Sequence, residues 1–169
     1  MEIFADSASS FIADRSDAAL RQLAWSGFEE AGLPQVSDEV WRYAPLSELD
    51  LDRFAVAVEP SASTDSDFAR ELCERAGLVI RVVDGFCIDA TSHLEGVTVE
   101  VDESAISLSG ETFTNRYQSD TFALLNVALS PATTVVRVAP GALVDTPIVV
   151  LNITNGSSSF PRTQIDLGR

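Results

Sequence analysis

The chain has 169 residues, 46% of them hydrophobic, and a mean hydropathy of +0.13, enough apolar material for one ordinary domain or two small ones. A formal net charge of −15 and a pI near 4.2 repel phosphate backbones and anionic lipid, which argues against nucleic acid and membrane partners. No run approaches the roughly 20 apolar residues of a membrane span, and the opening MEIFADSASS lacks the basic and apolar regions of a secretory signal, so a cytoplasmic location is expected.

The first half reads as helical. From Asp17 the residues Leu20, Leu23, Ala24, Phe28 and Ala31 follow helical spacing; Asp17 or Ser16 supplies a cap, and Gly32 with Pro34 a stop. Asp38 can cap a short turn carrying Val40, Trp41 and Tyr43 that ends before Pro45, and Ser47 can open another around Leu49 and Leu51. Pro60 to Asp67 is a polar connector. Phe68, Leu72, Cys73 and Ala76 then recur at helical spacing, and Gly77 closes that helix.

At Leu78 the period changes. Leu78 to Val83 is a nearly continuous apolar run, Phe86 to Ile88 is strand-like, and Val97, Val99 and Val101 alternate with Thr98 and Glu100. Further strands are predicted at Ile106 and Leu108, Val136 and Val138, Val149 to Ile153, and Ile165 and Leu167. One helix interrupts them, capped by Asp120 or Ser119, with Phe122, Leu125 and Leu129 on one face and Pro131 as its stop; it is expected to pack over one end of the sheet. The eight residues from Pro140 to Pro147 exceed a tight hairpin loop and leave room for a parallel solenoid without demanding one, and no fixed-period repeat is present. These shifts predict a helical amino-terminal domain over 1–77 and a β domain over 78–169.

The residue inventory excludes several chemistries. All eleven basic residues are arginine, so there is no Walker-type lysine and no Schiff-base lysine. His93 stands alone and reads as a surface or turn residue. Cys73 and Cys87 lie fourteen positions apart with no CxxC spacing and read as small buried hydrophobes rather than a metal site or a disulfide. No catalytic, cofactor-binding or metal residue is predicted, and no cofactor is expected to be held by this segment alone.

Three stretches carry a family resemblance. Ala24 to Phe54, AWSGFEEAGLPQVSDEVWRYAPLSELDLDRF, has a helix running into Gly-Leu-Pro, then Glu, Trp-Arg-Tyr and a Pro-Leu pair. Ser119 to Leu129 reads SDTFALLNVAL, and Val136 to Thr154 reads VRVAPGALVDTPIVVLNIT, with Ala139 before the Pro140-Gly141 turn. Together they resemble the amino-terminal portion of the SufB/SufD family of iron–sulfur cluster assembly proteins, with Gly-Leu-Pro and Trp-Arg-Tyr leaning to the SufD branch. The resemblance implies an α+β fold: a small amino-terminal helical domain followed by the first, incomplete part of a right-handed parallel β-helix. It also implies a scaffold role with SufB and the ATPase SufC as partners, and places the cluster-building and SufC-docking residues beyond Arg169. On physical grounds alone, Phe28, Trp41 and Tyr43 are core aromatics, Arg42 a surface or pairing residue, and Pro140-Gly141 a turn.

Two alternatives belong to other classes. A sugar-acting enzyme on a β-helix would recruit Asp50 with Asp52 or Glu100 with Asp102 as acid and base, although alternate acidic positions are ordinarily a wet face. A free-standing adaptor fragment is the other.

Overall fold

The computed structural model describes residues 2–35, 37, 41, 43, 44, 46–103 and 120–168. It is α+β, with four α-helices and six strands among those residues. The chain divides into two compact units, Met1–Val56 with Ile106–Leu129, and Ala57–Ala105 with Ser130–Arg169. The division anticipated at Gly77 falls inside the second unit. No described helix is long and apolar enough to cross a membrane.

The first unit is built from α1 (Glu2–Ala13), α2 (Ala18–Ala31) and α4 (Thr121–Leu129). Helix α1 was not anticipated, yet its apolar stripe is legible: Phe4, Ala8, Phe11 and Ile12 recur at helical spacing and all are buried. In α2 the buried stripe is Arg21, Ala24, Trp25 and Phe28, whereas Leu23 is 65% exposed. The stripe turns away from Leu23 because Arg21 finds partners inside. Its Nε donates to Asp17 Oδ1 at 2.6 Å, its Nη1 donates to the Ala128 carbonyl at 3.1 Å, and its guanidinium lies 5.7 Å from the Phe11 ring centre. A paired guanidinium with an apolar stem is at home where a bare charge would not be. Asp17 therefore holds Arg21 and makes no side-chain cap bond to α2.

Trp25 sits between Phe4 and Phe28, with ring centroids 6.0 and 5.2 Å away. The stop at Gly32 forms as expected: its φ is 68° and its N–H donates to the Phe28 carbonyl at 2.8 Å. Asp120 caps α4, its Oδ1 accepting from the N–H groups of Phe122 (3.0 Å) and Ala123 (3.2 Å), and α4 packs along α2. Tyr43, read as a core aromatic, is 93% exposed. Of the turn expected from Asp38 with Val40, Trp41 and Tyr43, Asp38 and Val40 lie outside the described residues, as does the strand expected at Ile106 and Leu108.

The second unit holds α3 (Asp67–Glu74) and the strands β1 (Leu78–Val83), β2 (Phe86–Ser92), β3 (Val97–Asp102), β4 (Thr133–Val138), β5 (Ile148–Ile153) and β6 (Thr163–Leu167). They form two three-stranded mixed sheets, ordered β2-β1-β5 and β3-β4-β6. The pairs β1–β2 and β3–β4 are antiparallel, and β1–β5 and β4–β6 are parallel. The expected parallel β-helix is thus corrected: no β-helix or solenoid is found among the described residues. At Asp84-Gly85 the chain reverses in a two-residue turn, with φ of 50° and 94°, and Val83 faces Phe86. Positive φ at both central residues is the hairpin geometry that returns a strand beside its predecessor, whereas a β-helix coil carries each strand onward to a parallel neighbour.

Burial follows position in the sheet. The central strands β1 and β4 are the apolar runs and are mostly buried, while β2 and β6 are edges with largely exposed side chains. Leu78, Ile80 and Val82 of one sheet and Val97 and Val136 of the other form one core, with Cys87, Leu94, Val99, Val138, Ile148 and Val150 packed against it. The register of β1 on β2 slips between Arg81 and Val82, leaving Ile88 without an opposite residue. Helix α3 is capped by Ser66, whose Oγ accepts from Ala69 N–H at 3.2 Å. It buries Ala69 rather than the anticipated face, since Phe68 is 70% and Leu72 41% exposed.

Candidate functional site

The chemistry-bearing side chains of the second unit gather in three places. The first is the junction around Asp84, which is 2% exposed. Its Oδ1 accepts from the N–H of Asn155 (2.9 Å) and from Ser157 Oγ (2.8 Å), and its Oδ2 accepts from the N–H of Ser61 (3.0 Å). One carboxylate thus ties the β1–β2 turn to the segment after β5 and to the approach to α3. Burial pushes the Asp84 carboxyl up, but the hydrogen bonds from Ser61, Asn155 and Ser157 outweigh it and hold the group below its ordinary value. The Asp-Gly dipeptide was the available sequence signal for this turn.

Second, Arg81 lies mid-strand in β1, directly opposite Asp89 of β2. Its Nη2 is 2.9 Å and its Nε 3.1 Å from Asp65 Oδ2, and its Nη1 is 3.2 Å from Asp89 Oδ2. Hydrogen bonding to Asp65 raises the Arg81 pKa further, burial opposing it. This pair borders a shallow cleft of about 420 Å³ lined by Ser63, Thr64, Asp65, Arg70, Arg81 and Ile88.

The third place is on the other sheet, where Arg137 of β4 lies between Glu100 of β3 (3.3 Å) and Asp166 of β6 (2.6 Å). A cleft of about 400 Å³ adjoins it, with Gly96, Thr98, Pro140, Asp166 and Leu167 in its wall. Each cleft contains an arginine paired with two carboxylates, and Arg70 in the first cleft pairs with Asp67 in an exposed, weak ion pair. Arg81 and Arg137 act as cross-strand ties. An arginine interrupting an apolar strand, as in LVIRVV and TTVVRV, was the sequence signal for each.

Residues singled out in the sequence are scattered. Cys73 lies half-buried on α3, and Cys87 packs half-buried against the core with its Sγ 3.8 Å from the Asp89 carbonyl; both are free thiols. His93 is exposed, and its backbone N–H donates to the Gly77 carbonyl at 2.7 Å. Asp50 caps the turn Leu51–Arg53 by accepting from Asp52 N–H at 3.0 Å, and Asp52 accepts from the N–H of Phe4 at 3.1 Å. Glu100 is held by Arg137. Among the described residues, no three His, Cys, Asp or Glu side chains gather as a metal ligand set.

No protein-family model matches the chain, and none of the curated proteins matches it.

In the first unit, two of the stretches that carry the family resemblance meet. Thr121 Oγ1 donates to the carbonyl of Gly32 at 2.8 Å, and Trp41 stacks edge-on against Phe122, with centroids 5.1 Å apart and planes at 69°. Gly32 belongs to Gly-Leu-Pro and Trp41 to Trp-Arg-Tyr, whereas Thr121 and Phe122 open the second stretch.

Proposed function

We propose that this chain is an amino-terminal portion of a SufD-type scaffold, a cytoplasmic non-enzymatic component that works with SufB and the ATPase SufC in iron–sulfur cluster assembly. The observation that carries the reading is the joining of Gly32 and Trp41 to Thr121 and Phe122. Residues about eighty to ninety positions apart, from two separate resembling stretches, share one packing site. This shared packing supports reading the two stretches as parts of one structural unit. The ion pairs at Arg81 and Arg137 also fit it, because they occupy both arginines with carboxylates, which suits a platform more than an anion-binding catalyst. The scaffold role itself comes from the resemblance alone.

The test is affinity isolation of the protein, tagged at its own gene, from anaerobically lysed cells. SufB and SufC should co-elute with it in constant ratio through a subsequent size-exclusion step. Recovery of intact, soluble bait with neither protein refutes the proposal.

A further inference from the structure

We propose that Asn155 is a site of spontaneous deamidation, and that the carboxylate formed there loosens the junction held by Asp84. Asn155 and Gly156 are both exposed, Gly156 has a φ of 78°, and nothing lies within 4 Å of where a Cβ on Gly156 would be. Gly156 therefore carries no side chain to hinder attack by its nitrogen, and the space where one would lie is open. The Asn155 carboxamide makes one exposed hydrogen bond, from Nδ2 to the Ala62 carbonyl at 3.3 Å.

The chemistry needs only water. The Gly156 nitrogen attacks Asn155 Cγ, an N–C bond forms as the Cγ–Nδ2 bond breaks, and the nitrogen's proton leaves with the amide as ammonia. Water then opens the cyclic imide at either carbonyl, giving aspartate or isoaspartate. Asp84-Gly85 is an internal control, since the same ring closure is open in principle to Asp-Gly. There the carboxylate is 2% exposed and accepts bonds at both oxygens, and the site of a Cβ on Gly85 lies 3.3 Å from Phe160 N and from Pro131 Cδ. An ionised, hydrogen-bonded and enclosed carboxylate is a poor electrophile.

Conversion at 155 has a local cost. The Ala62 carbonyl loses its donor and gains a carboxylate neighbour, on the very residue whose backbone N–H donates to Asp84 Oδ1. Like charges so placed repel. In the isoaspartate product the chain also runs through Cβ, which displaces Ser157 from its 2.8 Å bond to Asp84.

The test is to age the full chain at mildly alkaline pH, map peptides by mass spectrometry with isoaspartate detection, and melt the separated charge variants. Position 155 should convert while position 84 does not, and the converted fraction should melt a few degrees lower. Asn155→Asp should reproduce part of that shift, and Asn155→Gln should block conversion. If Asn155→Gln itself melts low, the comparison between converted and unconverted wild-type fractions decides. Persistence of the amide at 155 while the denatured chain converts normally overturns the proposal, as does a converted fraction that melts with the unconverted one.

Discussion

Replacing Asp84 tests the junction most directly. Asp84→Ala removes the acceptor for Ser61 N–H, Asn155 N–H and Ser157 Oγ and places alanine at a φ of 50°. Hydrogen bonds to a charged group contribute about 1.5 to 3 kcal/mol each, and alanine in the left-handed region adds about 1 kcal/mol. Water can reach the partly buried donors and recover much of the first term, which leaves a loss of about 3 to 5 kcal/mol, a large share of a small domain's stability. Asp84→Asn keeps the backbone preference and one acceptor oxygen, so its loss should be about half as large. Because the folded-state carboxyl titrates below its ordinary value, the unfolded chain takes up the proton first. Its contribution is fully present above about pH 4, the unfolded value, and is lost as pH falls towards the lower folded one. Urea unfolding followed by circular dichroism, repeated down the pH scale, measures both effects. The wild-type advantage over Asp84→Asn should shrink on acidification below about pH 4. A Asp84→Ala variant within about 0.5 kcal/mol of wild type at neutral pH refutes the reasoning.

Arg21→Ala should destabilise the first unit by about 3 kcal/mol, since it strands the Asp17 carboxylate and the Ala128 carbonyl; Arg21→Met, which keeps much of the stem volume, should cost less, and equal stability of both variants to wild type in urea would remove Arg21 from the core argument. Gly85→Ala, at a φ of 94°, should cost about 1 to 2 kcal/mol, read as a lower thermal midpoint, and an unchanged midpoint would mean that the turn relaxes at no cost. Arg137→Ala should change stability by less than about 1 kcal/mol, because the arginine and its partners Glu100 and Asp166 are all substantially exposed; the change should fade in high salt, and a salt-independent loss would show that its stem, not its charge, matters.

Local pattern determined a good deal about this protein. The strands at Leu78–Val83, Val97–Asp102, Thr133–Val138, Ile148–Ile153 and Thr163–Leu167 fall on runs whose period and turn residues announce them, and so do the Asp120 cap and the Gly32 stop. These are short-range effects, set by side-chain alternation and by the hydrogen bonds a residue makes within a few positions of itself. The stripe of α1 and the Asp84-Gly85 turn were equally local and equally readable. Partnership was another matter. Each apolar strand in 78–169 could pair in parallel or antiparallel fashion, because period 2 specifies which side chains face inward and not which neighbour lies alongside. The turn at Asp84-Gly85 and the long-range registers chose two mixed sheets. Inside α2 the sequence favours Leu23 as buried on hydrophobicity alone, and only the arrival of the Ala128 carbonyl lets Arg21 take the inner face. The Asp84 junction likewise depends on donors from Ser61, Asn155 and Ser157, which come within 3.0 Å of one carboxylate only once both the turn and β5 are in place. A buried polar group is settled by partners distant in sequence, and no local window contains them.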